Sequence, residues 1–98
     1  MNIMIKSIHF TADAKLEEFI GNKLNKLKQY DDRIVSANVF LKLEKSQDLE
    51  NKITEIKLDI PGSELFAKKR TNSFEKSTDS VIEALKKQLQ KFKEKQRQ

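Results

Sequence analysis

The stretch KITEIKLDIPGSELFAKKR, Lys52 to Arg70, decides the fold. In its first half Thr54, Ile56, Leu58 and Ile60 alternate with Ile53, Glu55, Lys57 and Asp59, the period of two that sends successive side chains to opposite faces of a β-strand. Pro61 fixes its own φ and Gly62 tolerates a positive one, so the pair makes a tight turn and Ser63 to about Arg70 returns as a hairpin partner. In that returning strand Leu65 and Ala67 point inward, while Phe66, Lys68 and Arg70 point outward. A sheet with one apolar and one charged face needs a cover on the apolar side alone.

Upstream, Ala37, Val39, Leu41 and Leu43 alternate with Asn38, Phe40, Lys42 and Glu44, a second half-buried strand that a polar loop from about Ser46 to Glu50 joins to the first. Asn2 to Phe10, with Ile3, Ile5, Ile8 and Phe10, reads as another strand. Between these the period changes: Leu16, Phe19, Ile20, Leu24, Leu27 and Tyr30 recur at helical spacing to about Gln29, with Thr11 as the expected N-cap and Asp13 in the first turn. Lys23 falls within this stripe, where its stem can cover apolar surface while the ammonium reaches out. Downstream, Asn72 and Ser73 are both N-cap formers, and Asn72 with Glu75 has the spacing of a capping box. A long helix then follows on the stripe Phe74, Thr78, Val81, Ile82, Leu85, Leu89 and Phe92, with Lys86, Lys93 and Arg97 along one edge and Lys87, Lys91 and Lys95 along the other. The order β-α-β-β-β-α predicts an α+β fold in which two helices pack on one face of a four-stranded sheet, burying Leu27, Leu41, Leu58, Val81 and Leu85. Ninety-eight residues without repeat or linker make one domain, 1–98.

Composition narrows the function classes. No segment approaches the roughly 20 apolar residues of a membrane span, and MNIMIKSIHF lacks the apolar centre of a secretory signal. With no cysteine in the chain, a cytoplasmic location is expected and a thiolate metal site is excluded. His9 is the only histidine, and Gly21 and Gly62, the only glycines, are too isolated to form a phosphate-cradling loop. Asp31 and Asp32, like Glu17 and Glu18, are sequence neighbours that diverge and do not face one bond. No catalysis, cofactor, metal or small-molecule substrate is expected, and no membrane partner.

The net charge of +5 has a location. Met1 to Glu83 holds 14 basic and 14 acidic residues, whereas Ala84 to Gln98 holds six basic residues against Glu94 alone. A basic helical arm on a neutral body attracts polyanions, of which nucleic acid is the commonest in a cytoplasm. Lysines at a helix C-terminus also complement the helix dipole, so the run has a structural reading as well.

The stretch KLNKLKQYDDRI (Lys23 to Ile34), continued by VFLKLEK (Val39 to Lys45), and the run LKKQLQKFKEKQRQ (Leu85 to Gln98) preceded by Asp79 and Ile82, resemble the ribosome hibernation promoting factor family over essentially the whole chain. The resemblance implies a fold similar to the double-stranded-RNA-binding domain with an added strand. It also implies binding to the small ribosomal subunit and its ribosomal RNA, between head and body, covering the messenger and transfer RNA sites under starvation. The family's ribosome-facing cations correspond by position to Lys23, Lys26 and Arg33, and to Lys87, Lys91, Lys93, Lys95 and Arg97. Relatives often open the second helix with an acidic residue, methionine and tyrosine, where this chain has Ser73, Phe74 and Glu75. The loop from Ser46 to Lys52 is longer than in short relatives. With its end at Gln98 the chain is similar to the short form, which in some bacteria works with a separate ribosome modulation factor.

Two local readings stay open on the residues themselves. Arg33 suits either a bidentate phosphate contact or an ion pair with Asp31 or Asp32. Phe40 and Phe66, on the outer sheet face, suit either base stacking or cross-strand packing. The alternative function is a protein-interaction regulator of the sigma-factor modulation type, docking through Leu85, Leu89 and Phe92 if that stripe extends beyond the sheet.

Overall fold

The alternation in Lys52–Arg70 is realised as a hairpin. The computed structural model describes residues 1–45 and 47–96. In order along the chain they form β1 (Asn2–Ile8), α1 (Ala14–Tyr30), β2 (Ser36–Leu43), β3 (Lys52–Ile60), β4 (Ser63–Thr71) and α2 (Phe74–Gln96). Strands β3 and β4 close at the pair Ile60 and Ser63, with Gly62 at φ 77° in the turn, the left-handed value that glycine adopts without a Cβ clash. The sheet runs β1-β2-β3-β4. Its β1–β2 pair is parallel, because α1 is the crossover between them, and the other two pairs are antiparallel.

Register stacks the apolar set of each strand on one face. Ile3, Ala37, Leu58 and Leu65 form one inward row, and Ile5, Val39, Ile56 and Ala67 the next. Onto them pack Leu16, Ile20, Leu24 and Leu27 of α1 and Val81, Ile82, Leu85 and Leu89 of α2, in one continuous cluster. All five residues expected at the centre of the core are fully buried. Thr54 lies among these aliphatic rows, and its hydroxyl is 2.7 Å from Ser77 Oγ and 3.4 Å from Thr78 Oγ1, so the polar groups that α2 brings inward are satisfied.

The start of α1 differs from the sequence expectation by two residues, while α2 takes the second of its two expected caps. Helix α1 is capped by Asp13, whose Oδ1 accepts from Leu16 N at 2.8 Å, and not by Thr11. Strand β1 stops at Ile8 and not at Phe10, because His9 takes φ 71° and Phe10 turns to stack on Phe74 with ring centroids 4.6 Å apart. Asp13 itself is extended, at φ −80° and ψ 169°, and the helix begins at Ala14. Helix α2 is capped by Ser73, whose Oγ accepts from Lys76 N at 3.1 Å. Asn72 lies one residue too early for the capping-box role, and Glu75 falls at the second helical position.

Candidate anion-binding face

Successive i, i+4 steps along α2 read Glu75, Asp79, Glu83, then Lys87, Lys91, Lys95, a ridge that is acidic over its first half and basic over its second. Each half complements the nearer end of the helix dipole, so the segregation of charge stabilises the helix that presents it. Beside the small side chains of Ser80 and Ala84 lies a groove lined by Lys69 of β4 and by Lys87 and Lys91 together with Asp79 and Glu83 of α2. Lys69 shares the inward parity of Leu65 and Ala67, pairs with Thr54 and is exposed on the edge strand. Gln88 Nε2 donates to Phe66 O at 2.8 Å, tying α2 to the outer backbone edge of β4.

A second groove runs between the helices, lined by Lys23, Lys26 and Lys86 with Asp79 and Glu83. Here the cations are unequal. Lys23 Nζ is 3.0 Å from Asp79 Oδ1 and sits 5.3 Å from the Phe19 ring centroid, so it joins α1 to α2. Lys86 lies 3.9 Å from Glu83 and 5.9 Å above the Tyr30 ring. Among the described residues Lys26, Lys87, Lys91, Lys93 and Lys95 have no carboxylate within ion-pair distance, and all five are exposed.

Arg33 resolves toward its neighbour. Its Nε donates to Asp31 Oδ1 at 2.9 Å and its Nη2 to Oδ2 at 2.6 Å, while its backbone N–H reaches Oδ1 at 3.1 Å. The guanidinium carbon also lies 5.4 Å from the Phe92 ring centroid, so the α1–β2 turn is latched to the last third of α2. The hydrogen bonds from Arg33 hold the buried Asp31 carboxyl below the usual carboxylate range, against the opposing effect of burial, with a smaller contribution from the Lys93 charge. The same pair raises the Arg33 guanidinium. Lys28 Nζ donates to Asp32 O and Ile34 O, each at 2.7 Å, which closes the turn from the other side.

The opposite face of the sheet is charged, and all of its cations except Lys6 of β1 are paired within it. Glu55 meets Lys42 at 2.9 Å and Lys68 at 3.8 Å, Lys57 meets Glu64 at 2.7 Å, Arg70 meets Glu44, and Asp59 accepts from Ser36 at 2.6 Å. Phe40 stands opposite Glu55, and Phe66 opposite Lys57. They lie on strands separated by β3 and in different rows, so direct packing of one on the other does not account for them.

Of the cations named from the sequence, Lys23, Lys26, Lys87, Lys91, Lys93 and Lys95 belong to the two helices, Arg33 follows α1 directly, and Arg97 lies outside the described residues. Lys69 and Tyr30 were not among them. The inward parity of a lysine in β4 is the available signal for the first; helical spacing puts Tyr30 on the apolar stripe, but it is 50% exposed at the end of α1. The proposed docking stripe is engaged elsewhere, since Leu85 and Leu89 are fully buried and Phe92 packs against the core. Among the described residues no group of His, Asp and Glu is arranged to hold a metal ion, and no helix is long and apolar enough to cross a membrane.

A four-stranded sheet covered on one side by two helices, with Lys26, Lys87, Lys91, Lys93 and Lys95 exposed on those helices, defines a small α+β domain with a lysine-rich helical face. Residues 3–97 match the family model described as Sigma 54 modulation protein / S30EA ribosomal protein, and the chain belongs to that family. It is 31% identical over 96 residues to a ribosome hibernation promoting factor of Pseudomonas putida, covering 98% of this chain and 90% of that protein. With the ribosome hibernation promoting factor of Escherichia coli it shares 33% identity over 98 residues, covering 100% and 97%. In structure it is similar to a ribosomal subunit interface protein from Coxiella burnetii, with a TM-score of 0.85 at 24% identity over 95% of this chain and 98% of that one. The Protein Y N-terminal domain of Thermus thermophilus has the same fold, with a TM-score of 0.79 at 22% identity over 94% and 99%.

Proposed function

We propose that this chain is a ribosome hibernation factor that binds ribosomal RNA of the small subunit in the decoding channel, blocks the messenger and transfer RNA sites and silences translation in starvation. The observation that supports this reading is the unequal pairing of charge between faces: on the outer sheet face every cation but Lys6 has a carboxylate partner, whereas the helical face keeps Lys26, Lys87, Lys91, Lys93 and Lys95 exposed and without carboxylate partners among the described residues. Such lysines act as point charges on phosphates and need shape, not base reading, to block a channel. Lys23 and Arg33 add to the field while tying the elements together, and Arg97 extends the same cationic run in sequence.

The action is occupancy without turnover. Inhibition of translation in a reconstituted system titrates with the ratio of protein to small subunits and is reversed when the protein is removed. Co-sedimentation with small subunits at low and high salt tests the binding step, with retention expected to fall steeply as salt rises. Lasting inactivation by a trace amount, or retention indifferent to salt, contradicts the proposal.

A further inference from the structure

Tyr30 is the one aromatic residue of the helical side that stands half in solvent, at 50% exposure, where Phe10, Phe19, Phe74 and Phe92 all pack against the core. Its surroundings have a composition of their own. Tyr30 lines a small cavity with Gln90, Lys93 and Glu94 of α2, and Lys86 stands above its ring at 5.9 Å. A phosphate is a poor occupant because Glu94 shares the wall. A nucleobase fits the chemistry: its π-face stacks on the phenol, its N–H groups find acceptors in Glu94 and the Gln90 carbonyl, and the flanking phosphates meet Lys86 and Lys93.

We propose that Tyr30, Gln90 and Glu94 form a subsite for a single unstacked nucleobase of RNA, flanked by Lys86 and Lys93 as phosphate contacts. This deepens the ribosomal RNA reading and rests on it: the lysines give the face its attraction for any RNA backbone, and the Tyr30 subsite selects a place where a base is splayed out of the helix. The site depends on the register of α2 against the end of α1, which the Arg33 contact with Phe92 fixes close by.

The sequence provides its own reporter, since the chain has one tyrosine and no tryptophan, so tyrosine emission comes from Tyr30 alone. The full chain is titrated with a single-stranded mixed-sequence oligoribonucleotide and, separately, with inorganic polyphosphate, which has the charge but no bases. At saturation, judged by anisotropy of a labelled oligoribonucleotide, emission is expected to be quenched by the oligoribonucleotide and not by polyphosphate. In parallel, affinity for small subunits is measured for Tyr30→Phe and Tyr30→Leu, both checked for folding by circular dichroism. Phe is expected to bind within about twofold of the parent and Leu about five- to a hundredfold more weakly, the range for loss of one stacked base. Saturation without quenching, or a Leu variant that binds subunits like the parent, overturns the subsite and leaves the electrostatic reading standing. Failure of the parent to bind either oligoribonucleotide or subunits overturns both.

Discussion

Asp31 shows how a single carboxylate organises the neighbourhood of the basic arm. Its side chain is buried, receives two hydrogen bonds from the Arg33 guanidinium, and through that guanidinium reaches Phe92 near the end of α2. Asp31→Asn removes the charge and is expected to cost about 1–3 kcal/mol near neutral pH, as charge-assisted hydrogen bonds do. The folded carboxyl titrates below its unfolded value, so the stabilisation is fully present above the unfolded carboxylate range, about pH 4, and is lost as pH falls through the folded value. Melting temperatures of parent and Asp31→Asn measured from pH 7 downward should therefore differ most at pH 7 and converge in strong acid. A gap that stays constant with pH would remove the ion pair as its cause. The sequence could pair Arg33 with Asp31, Asp32 or a phosphate on equal terms, because a spacing of one or two residues is within reach of each; only the closed turn, held by Lys28 on two carbonyls, selects Asp31.

The elements are the most legible level of this protein, and the reason is one-sided burial. A strand covered on one face must alternate, so Ala37, Val39 and Leu41, and Thr54, Ile56, Leu58 and Ile60, declare their strands and their inward sides at once. Truncating Leu41 or Leu85 to alanine leaves a cavity where the sheet meets the helices and is expected to cost on the order of 2–5 kcal/mol in urea unfolding. Element ends were less legible. Thr11 and Asp13 are both competent caps two residues apart, and the choice falls to Asp13 only because the turn at His9 delays the helix. Asp13→Ala should accordingly lower stability by about 1 kcal/mol while Thr11→Ala changes it by far less, a pair of melts that tests the assignment directly. The parallel pairing of β1 with β2 follows from the intervening helix, whereas the Gln88 contact that fastens α2 to the edge of β4 has no periodic signature and could not be read in advance.

At the scale of the whole molecule, the exposed lysines of the helices and the ions of the outer sheet face lie on opposite sides of the sheet layer. Exposed charges separated by more than a screening length, about 8 Å at physiological salt, are largely hidden from each other, so an anion at the helices senses the outer sheet face weakly. Charge removed from either face is equal in sum and unequal in effect. Replacing Lys87, Lys91 and Lys95 together by glutamine keeps helix propensity nearly unchanged and should weaken subunit binding, with the slope of log affinity against log salt shallower by up to roughly three units. Replacing Lys6, Lys57 and Lys68 of the sheet by glutamine removes the same charge and should leave that slope unaltered; equal slopes for the two triple variants would dissolve the distinction between faces. The ridge of α2 adds something that no count of lysines contains. Acidic at its start and basic toward its end, it gives the molecule a built-in electric axis, and a polyanion acts on such an axis with a torque as well as a pull. Toward the RNA partner proposed above, such a torque would turn the protein before contact so that the end of α2 leads, and would set the speed of approach apart from the strength of the final grip.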